Sequence, residues 1–203
     1  FNFYQNAIHQ QDRHLARILS ALRAAPFGER TVVVYTSDHG EAFREHHQMG
    51  HTFSVFDEEV KVPGFVDAPP GTLSAAEEAA LASKSDAYVF HPDLTATVID
   101  LLGVWNDPAI ARYREKILGE SLLSERVNDR ALPMTNCAGV WSCAFENWGF
   151  MRGPMKLEAR AWDPEDRCFD LAKDPLEQTD LGPAACGDLK ARAGDVFHRL
   201  PGK

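Results

Sequence analysis

Asp38 and His39 stand side by side where an apolar run ends, and three further histidines, His46, His47 and His51, follow within twelve residues of His39. A carboxylate beside an imidazole is a donor pair for a divalent cation. It suits Zn2+ or Mn2+, and with water and further oxygens it also admits Ca2+ or Mg2+. On a regular strand the two side chains would point to opposite faces, so sharing one ion requires the backbone to turn, which Gly40 permits. His51 is an imidazole titrating near neutrality and can give a proton to a departing oxygen. His46 and His47 read either as lining of the same pocket or as exposed loop residues.

The elements that must position these residues follow from hydrophobic periodicity. Residues 31–36, TVVVYT, form a β-branched apolar run that predicts a buried strand. It breaks at Ser37, the end of a strand at which open α/β sheets bind ligands. Ahead of it, Ile8, Leu15, Ile18, Leu19 and Leu22 recur at three- and four-residue steps, which predicts an amphipathic helix over 6–25, closed by Pro26 and Gly28. His9, Asp12 and His14 fall on its polar face and read as solvated. A second strand is expected over 60–66, with Pro63 placing it at an edge or bulge. Ser74 is a candidate N-cap for a helix over 75–82, with Glu77 and Glu78 in its first turn. Leu94, Val98, Leu101 and Leu102 mark a helix over 92–102, capped by Gly103.

After Trp105 the composition turns polar, with a short helical piece expected around 109–118. Strand candidates at 131–135, 150–151, 155–159 and 168–171 are separated by Gly, Pro and Asp, and an amphipathic helix is expected over 188–200. The expected architecture is an α/β core over residues 1–105 with flanking helices, followed over 106–203 by a connection and a small antiparallel sheet unit with a terminal helix.

With 203 residues, 44% of them hydrophobic and 25% charged, the chain can bury a sizeable core. A net charge of -9 without clustered Lys and Arg argues against nucleic acid as a partner. No apolar stretch approaches the roughly 20 residues that span a bilayer, so any membrane anchor would lie outside this chain. The opening FNFYQNAIHQQDRH has no initiator Met, basic region or apolar region, and reads as mid-protein without a signal peptide of its own. Cys137, Cys143, Cys168 and Cys186 lie in the last third. They fit a disulfide-bearing exported domain in which Cys137 and Cys143 could close a short loop, although four cysteines permit three pairings and reduced thiols are the alternative.

The order of residues around the histidines carries more information than the pair itself. Tyr35-Thr36-Ser37-Asp38-His39-Gly40-Glu41, then Glu45-His46, Gly50-His51, Phe56-Asp57-Glu58 and Val62-Pro63 resemble the sulfatase branch of the alkaline phosphatase superfamily. Downstream, Asp93-Leu94-Thr95-Ala96-Thr97 with Leu101-Leu102-Gly103 is similar to the family's helix after the metal loop, with Ala96 where a proline is usual. Gly119-Glu120-Ser121-Leu122-Leu123, Arg152 to Leu157, Cys168-Phe169-Asp170-Leu171 and Asp174-Pro175-Leu176-Glu177 extend the likeness to the C-terminal sheet and turn.

The resemblance implies an alkaline-phosphatase-like α/β fold, with Asp38 and His39 as metal ligands and His51 contacting the transferred group or protonating the leaving oxygen. His39, where calcium-dependent sulfatases commonly carry asparagine, tilts the expected ion toward Zn2+ or Mn2+ ahead of Ca2+, and the substrate toward phosphate esters. The family's nucleophile, on an earlier strand with further acidic ligands, has no counterpart here, and none of the four cysteines stands in a C/S-x-P-x-R context. The expectation is therefore the C-terminal part of a metal-dependent hydrolase of sulfate or phosphate esters, inactive alone, whose nucleophile lies in an N-terminal segment outside the chain. The alternatives are an envelope-lipid phosphoethanolamine or glycerol-phosphate transferase and a non-catalytic binding or regulatory module. The expected location is periplasmic or extracellular.

Overall fold

The computed structural model describes residues 2–125, 130–136 and 146–198. Helix α1, Asn2–Ala24, is followed by a 3-10 turn at Gly28–Arg30 and strand β1, Val33–Thr36. A small hairpin comes next, β2 at Ala42–Phe43 and β3 at Met49–Gly50, with a 3-10 turn at Glu45–His47 between its arms. Helix α2, Asp57–Val60, precedes β4, Gly64–Asp67. Strands β1 and β4 pair antiparallel, from Val33 opposite Asp67 to Thr36 opposite Gly64.

The expected strand over 60–66 is thus shorter and later. Residues 57–60 close a helical turn through Lys61 N–H to Asp57 O, and Pro63, which has no N–H to give a ladder, stands just ahead of the strand.

Arg23 fastens the end of α1 to this pair. Its guanidinium donates to the carbonyls of Gly28, Thr31 and Asp67 and to the Asp67 carboxylate at 2.5 Å. The rest of α1 buries nothing among the described residues, and Ile8 and Ile18 on its apolar stripe are more than half exposed.

Helix α3, Ala75–Ala82, begins with the capping box expected of Ser74: the Ser74 hydroxyl accepts from Glu77 N–H, and the Glu77 carboxylate accepts from Ser74 N–H at 2.7 Å. Helix α4, His91–Leu101, and the motif at 119–123 lock together. Asp93 accepts from the N–H groups of Phe90 and Glu120, and Thr97 Oγ1 accepts from Leu122 N–H. Gly119 passes so close to α4 that a Cβ there would stand 1.8 Å from the Pro92 carbonyl oxygen. The polar connection contains a 3-10 turn at Pro108–Ile110 and helix α5, Ala111–Arg114.

The C-terminal unit is a four-stranded antiparallel meander: β5, Leu132–Thr135; β6, Asn147–Arg152; β7, Met155–Arg160; and β8, Arg167–Asp170. Helix α6, Gly187–Phe197, packs on one side of it. Phe150, Leu157, Cys168, Cys186, Leu189 and Ala193 form that core, and Phe197 stacks on Trp148. Cys168 is disulfide-bonded to Cys186. The suggested Cys137 to Cys143 loop lies outside the described residues.

The other side of β7 is the unexpected one. Met-Lys-Leu-Glu-Ala-Arg alternates as a half-exposed strand would, with Lys156, Glu158 and Arg160 on one face. All three are buried, at 1%, 1% and 4% exposure, because the loop carrying residues 52–59 lies over them.

Candidate active site

Strand β1 delivers Asp38 and His39 to its C-terminal end, as predicted. Gly40 is required there by close approach as well as by the turn: its N–H donates to Glu59 O at 2.7 Å, and a Cβ would stand 2.2 Å from Glu58 O. Ser37 Oγ donates to His39 O, and Ser37 O lies 2.8 Å from Nε2 of His91 at the start of α4. His91 and the acidic partners Glu41, Glu58 and Glu177 were not singled out from the sequence. Glu58 and Glu177 lie within quoted motifs, whereas His91 carries no signal beyond its place one residue before Pro92.

The imidazole of His39 is held in one tautomer. Its Nδ1 lies 2.8 Å from Gly40 O, an acceptor, so Nδ1 carries the hydrogen and Nε2 keeps its lone pair. That lone-pair nitrogen is 3.7 Å from Asp38 Oδ2, and the Asp38 side chain is almost fully exposed. Hydrogen bonding to its own backbone amide first, and then the neighbouring His39 charge, hold the Asp38 carboxyl below the ordinary carboxylate range.

An anionic oxygen and a neutral imidazole nitrogen at this separation can both reach one ion at about 2.0 to 2.4 Å. The pair therefore fits a divalent cation as part of a ligand set. No group of three or more metal-binding side chains occurs among the described residues.

His51 joins this pair through its ring. The His39 and His51 centroids are 3.8 Å apart at 26°, a stack, and His51 Nδ1 is 3.3 Å from Glu41 Oε2. The hairpin explains the encounter. Ala42 is paired with Gly50, so the residues just outside that pair, Glu41 and His51, face each other at its base.

His46 and His47 part company. His47 is exposed. His46 is turned toward the C-terminal unit, with Nδ1 2.6 Å from Glu58 Oε1, Nε2 3.0 Å from Glu177 O, and its ring stacked on Phe56 at 3.6 Å and 8°. Burial acts to lower its pKa, but the Glu58 and Glu177 hydrogen bonds and charges outweigh that, and the value is raised above the ordinary histidine range.

The loop as a whole is held from beneath by β7 and its neighbours. Lys156 Nζ lies 2.9 Å from Asp57 Oδ1 and 2.8 Å from Glu177 Oε1. Asp57 N–H donates to Glu177 Oε2, Val55 N–H to Glu158 Oε1, and Asn147 Nδ2 to Thr52 O. Glu59, fully buried, accepts from the Ser54 hydroxyl, Phe53 N–H and Asn136 Nδ2.

Comparison with known proteins was decisive for the family. The family model described as Sulfatase matches residues 1–104, just over half of the chain, and includes every residue of the Asp38 to His51 cluster. The chain belongs to the sulfatase family.

This sulfatase-family chain is 26% identical over 188 residues to arylsulfatase K of Mus musculus, covering 88% of the chain and 32% of that protein. It is 29% identical over 185 residues to the delta 4,5-hexuronate-2-O-sulfatase of Bacteroides thetaiotaomicron, covering 88% of the chain and 36% of that protein. Among solved structures it superimposes on a 2-O GAG sulfatase with a TM-score of 0.62 and 21% identity, over 92% of the chain and 39% of that structure. This last likeness establishes the fold as the sulfatase α/β fold. The chain spans about a third of the length of the curated relatives it matches. No helix among the described residues is long and apolar enough to cross a membrane.

Proposed function

We propose that this chain is the C-terminal part of a metal-dependent sulfuric ester hydrolase, supplying two metal ligands and a proton-handling imidazole to an active site completed by residues outside it. The observation that carries this reading is the convergence at one strand end of Asp38 Oδ2, the unprotonated Nε2 of His39 and the ring of His51, within 4 Å of one another pairwise along the chain of contacts. A divalent ion held by Asp38 and His39 would neutralise charge gathering on the transferred sulfuryl oxygens. Asp38 is suited to this because its carboxyl stays ionised, and His39 because Gly40 fixes its tautomer. His51, oriented by Glu41, would hold the proton that the leaving oxygen needs.

The nucleophile and the remaining ligands are assigned to an N-terminal segment of the fold. The bare apolar stripe of α1 supports that assignment, since a helix of this pattern is stabilised by burying it. The Cys168 to Cys186 disulfide supports an exported enzyme, acting in an oxidising compartment. The relatives named above are sulfatases, which favours sulfate over phosphate as the ester, and two of them are named for 2-O-sulfated sugars.

The test is release of inorganic sulfate by the full-length protein from a 2-O-sulfated uronate disaccharide, beside release of phosphate from a matched phosphate ester. Sulfate release is expected. Turnover of the phosphate ester alone would overturn the reading.

A further inference from the structure

The β2–β3 hairpin carries an imidazole at each end. At its base are His51 and Glu41, and at its tip is His46, anchored to Glu58 on α2 and to the carbonyl of Glu177 in the turn after β8. An ionised carboxylate and a backbone carbonyl are both acceptors only, so both ring nitrogens of His46 must carry hydrogen for the two bonds to exist together. The geometry therefore calls for an imidazolium. Its surroundings suit one: the ring stacks on Phe56, and the His46 and Glu58 side chains are only 17% and 16% exposed.

The charged groups around it come from every element packed there. Asp57 and Glu58 lie on α2, Glu177 in the turn, and Lys156 on β7 between Asp57 and Glu177. Arg160 on β7 and Arg167 on β8 stand over the Phe56 ring at 5.6 and 5.9 Å. Arg44, Glu45 and His47 flank His46 on its own turn.

The hairpin turn keeps its shape through unusual backbone. Arg44, His46, His47 and Thr52 all have positive φ, at 85°, 46°, 61° and 84°, although none is glycine. Such conformations persist where surrounding contacts hold them. The anchor of His46 is the contact that ties this turn to the C-terminal unit, and five residues later the same hairpin presents His51.

Building on the sulfuric ester hydrolase reading, we propose that His46 is a positioning residue: as an imidazolium it pins the hairpin tip to the C-terminal unit, sets the place of His51, and limits turnover on the alkaline side when it loses its proton. The direction of its titration agrees. Its pKa is raised, so the clasp is complete below the ordinary value of 6.5 and is lost as pH rises through the higher folded-state value.

The experiment measures kcat and KM of the full-length enzyme on a soluble sulfate ester from about pH 5 to 9, alongside an NMR titration of the His46 ring. Wild type should lose kcat on the alkaline side with KM little changed. Glu58→Gln should move that falling limb down by about one pH unit, a tenfold loss of proton affinity. His46→Gln, which cannot carry the charge, should lower kcat about tenfold and abolish the limb.

A limb that stays in place in Glu58→Gln, or survives in His46→Gln, overturns the proposal, as does a neutral His46 ring at the pH of maximal kcat. Should either variant fail to fold, the wild-type ring titration compared with the wild-type kcat profile decides alone. Absence of turnover on any sulfate ester would instead defeat the functional reading, while the ring titration still reports whether the clasp is charged.

Discussion

The imidazole of His51 lies flat against that of His39, centroid to centroid at 3.8 Å, with its Nδ1 directed at Glu41. A proton-carrying group is thus stacked directly on a metal-ligand ring, and the carboxylate behind it fixes which nitrogen faces away from Glu41. For the full-length enzyme, His51→Ala should lower turnover by about a hundredfold or more on esters with poor leaving groups, and far less on activated aryl esters. Equal losses on both, read as kcat/KM, would remove the proton-donor role.

Asp38 and His39 are the two donor atoms that one ion could share. Asp38→Ala or His39→Ala in the full-length protein should abolish bound metal, measured by elemental analysis, together with activity. Wild-type metal stoichiometry in either variant would contradict the ligand assignment.

Lys156 is a buried cation between two carboxylates, Asp57 and Glu177. Lys156→Met would leave two anions facing each other without a counter-charge, and should destabilise folding by roughly 3 to 5 kcal/mol. Neutralising the partners as well, in Asp57→Asn/Lys156→Met/Glu177→Gln, should restore most of that loss. Chemical denaturation of the three proteins checks it, and a triple variant no more stable than the single one would count against the pairing as described.

Glu158 supplies a pH dependence of stability. Burial pushes its carboxyl up to about 7, against the lowering effects of Arg160 and the Val55 hydrogen bond, and its Oε2 accepts no hydrogen bond among the described residues. The folded state holds this proton where the unfolded chain, with its carboxyl near 4.5, has released it. The stability contribution is present below about 4.5 and is lost as pH rises to about 7, by up to roughly 3 kcal/mol. Glu158→Gln should therefore flatten the decline of melting temperature between those pH values. A decline equal to wild type would assign it to other groups.

Much of the site could be read from residue order because local chemistry dictates it. The run at 31–36 had to end as a strand, Gly40 had to permit the turn, and Ser74 with Glu77 had to cap a helix; the structure shows each. What escaped were partners brought together from far along the chain. The encounter of His46 with Glu177 spans 131 residues, and that of Val55 with Glu158 spans 103. Periodicity contains no term for either. The same limit hid the nature of β7, whose alternation is that of a strand with one wet face. Burial of its charged face depends on a loop a hundred residues upstream arriving with matching charges. Residues 57–60 misled for a local reason, since an apolar β-branched residue such as Val60 serves a helical turn as readily as a strand when the flanking hydrogen bonds favour it.

The charged face of β7 also constrains how this protein can be altered. Lys156, Glu158 and Arg160 meet the loop of residues 52–59 as a row of matched plugs and sockets. Exchanging the C-terminal sheet for that of a distant relative, without exchanging the loop, would bring unmatched charges into a dry seam. Engineered hybrids of such enzymes should therefore be cut so that the loop and the sheet travel together, even though a hundred residues of chain separate them.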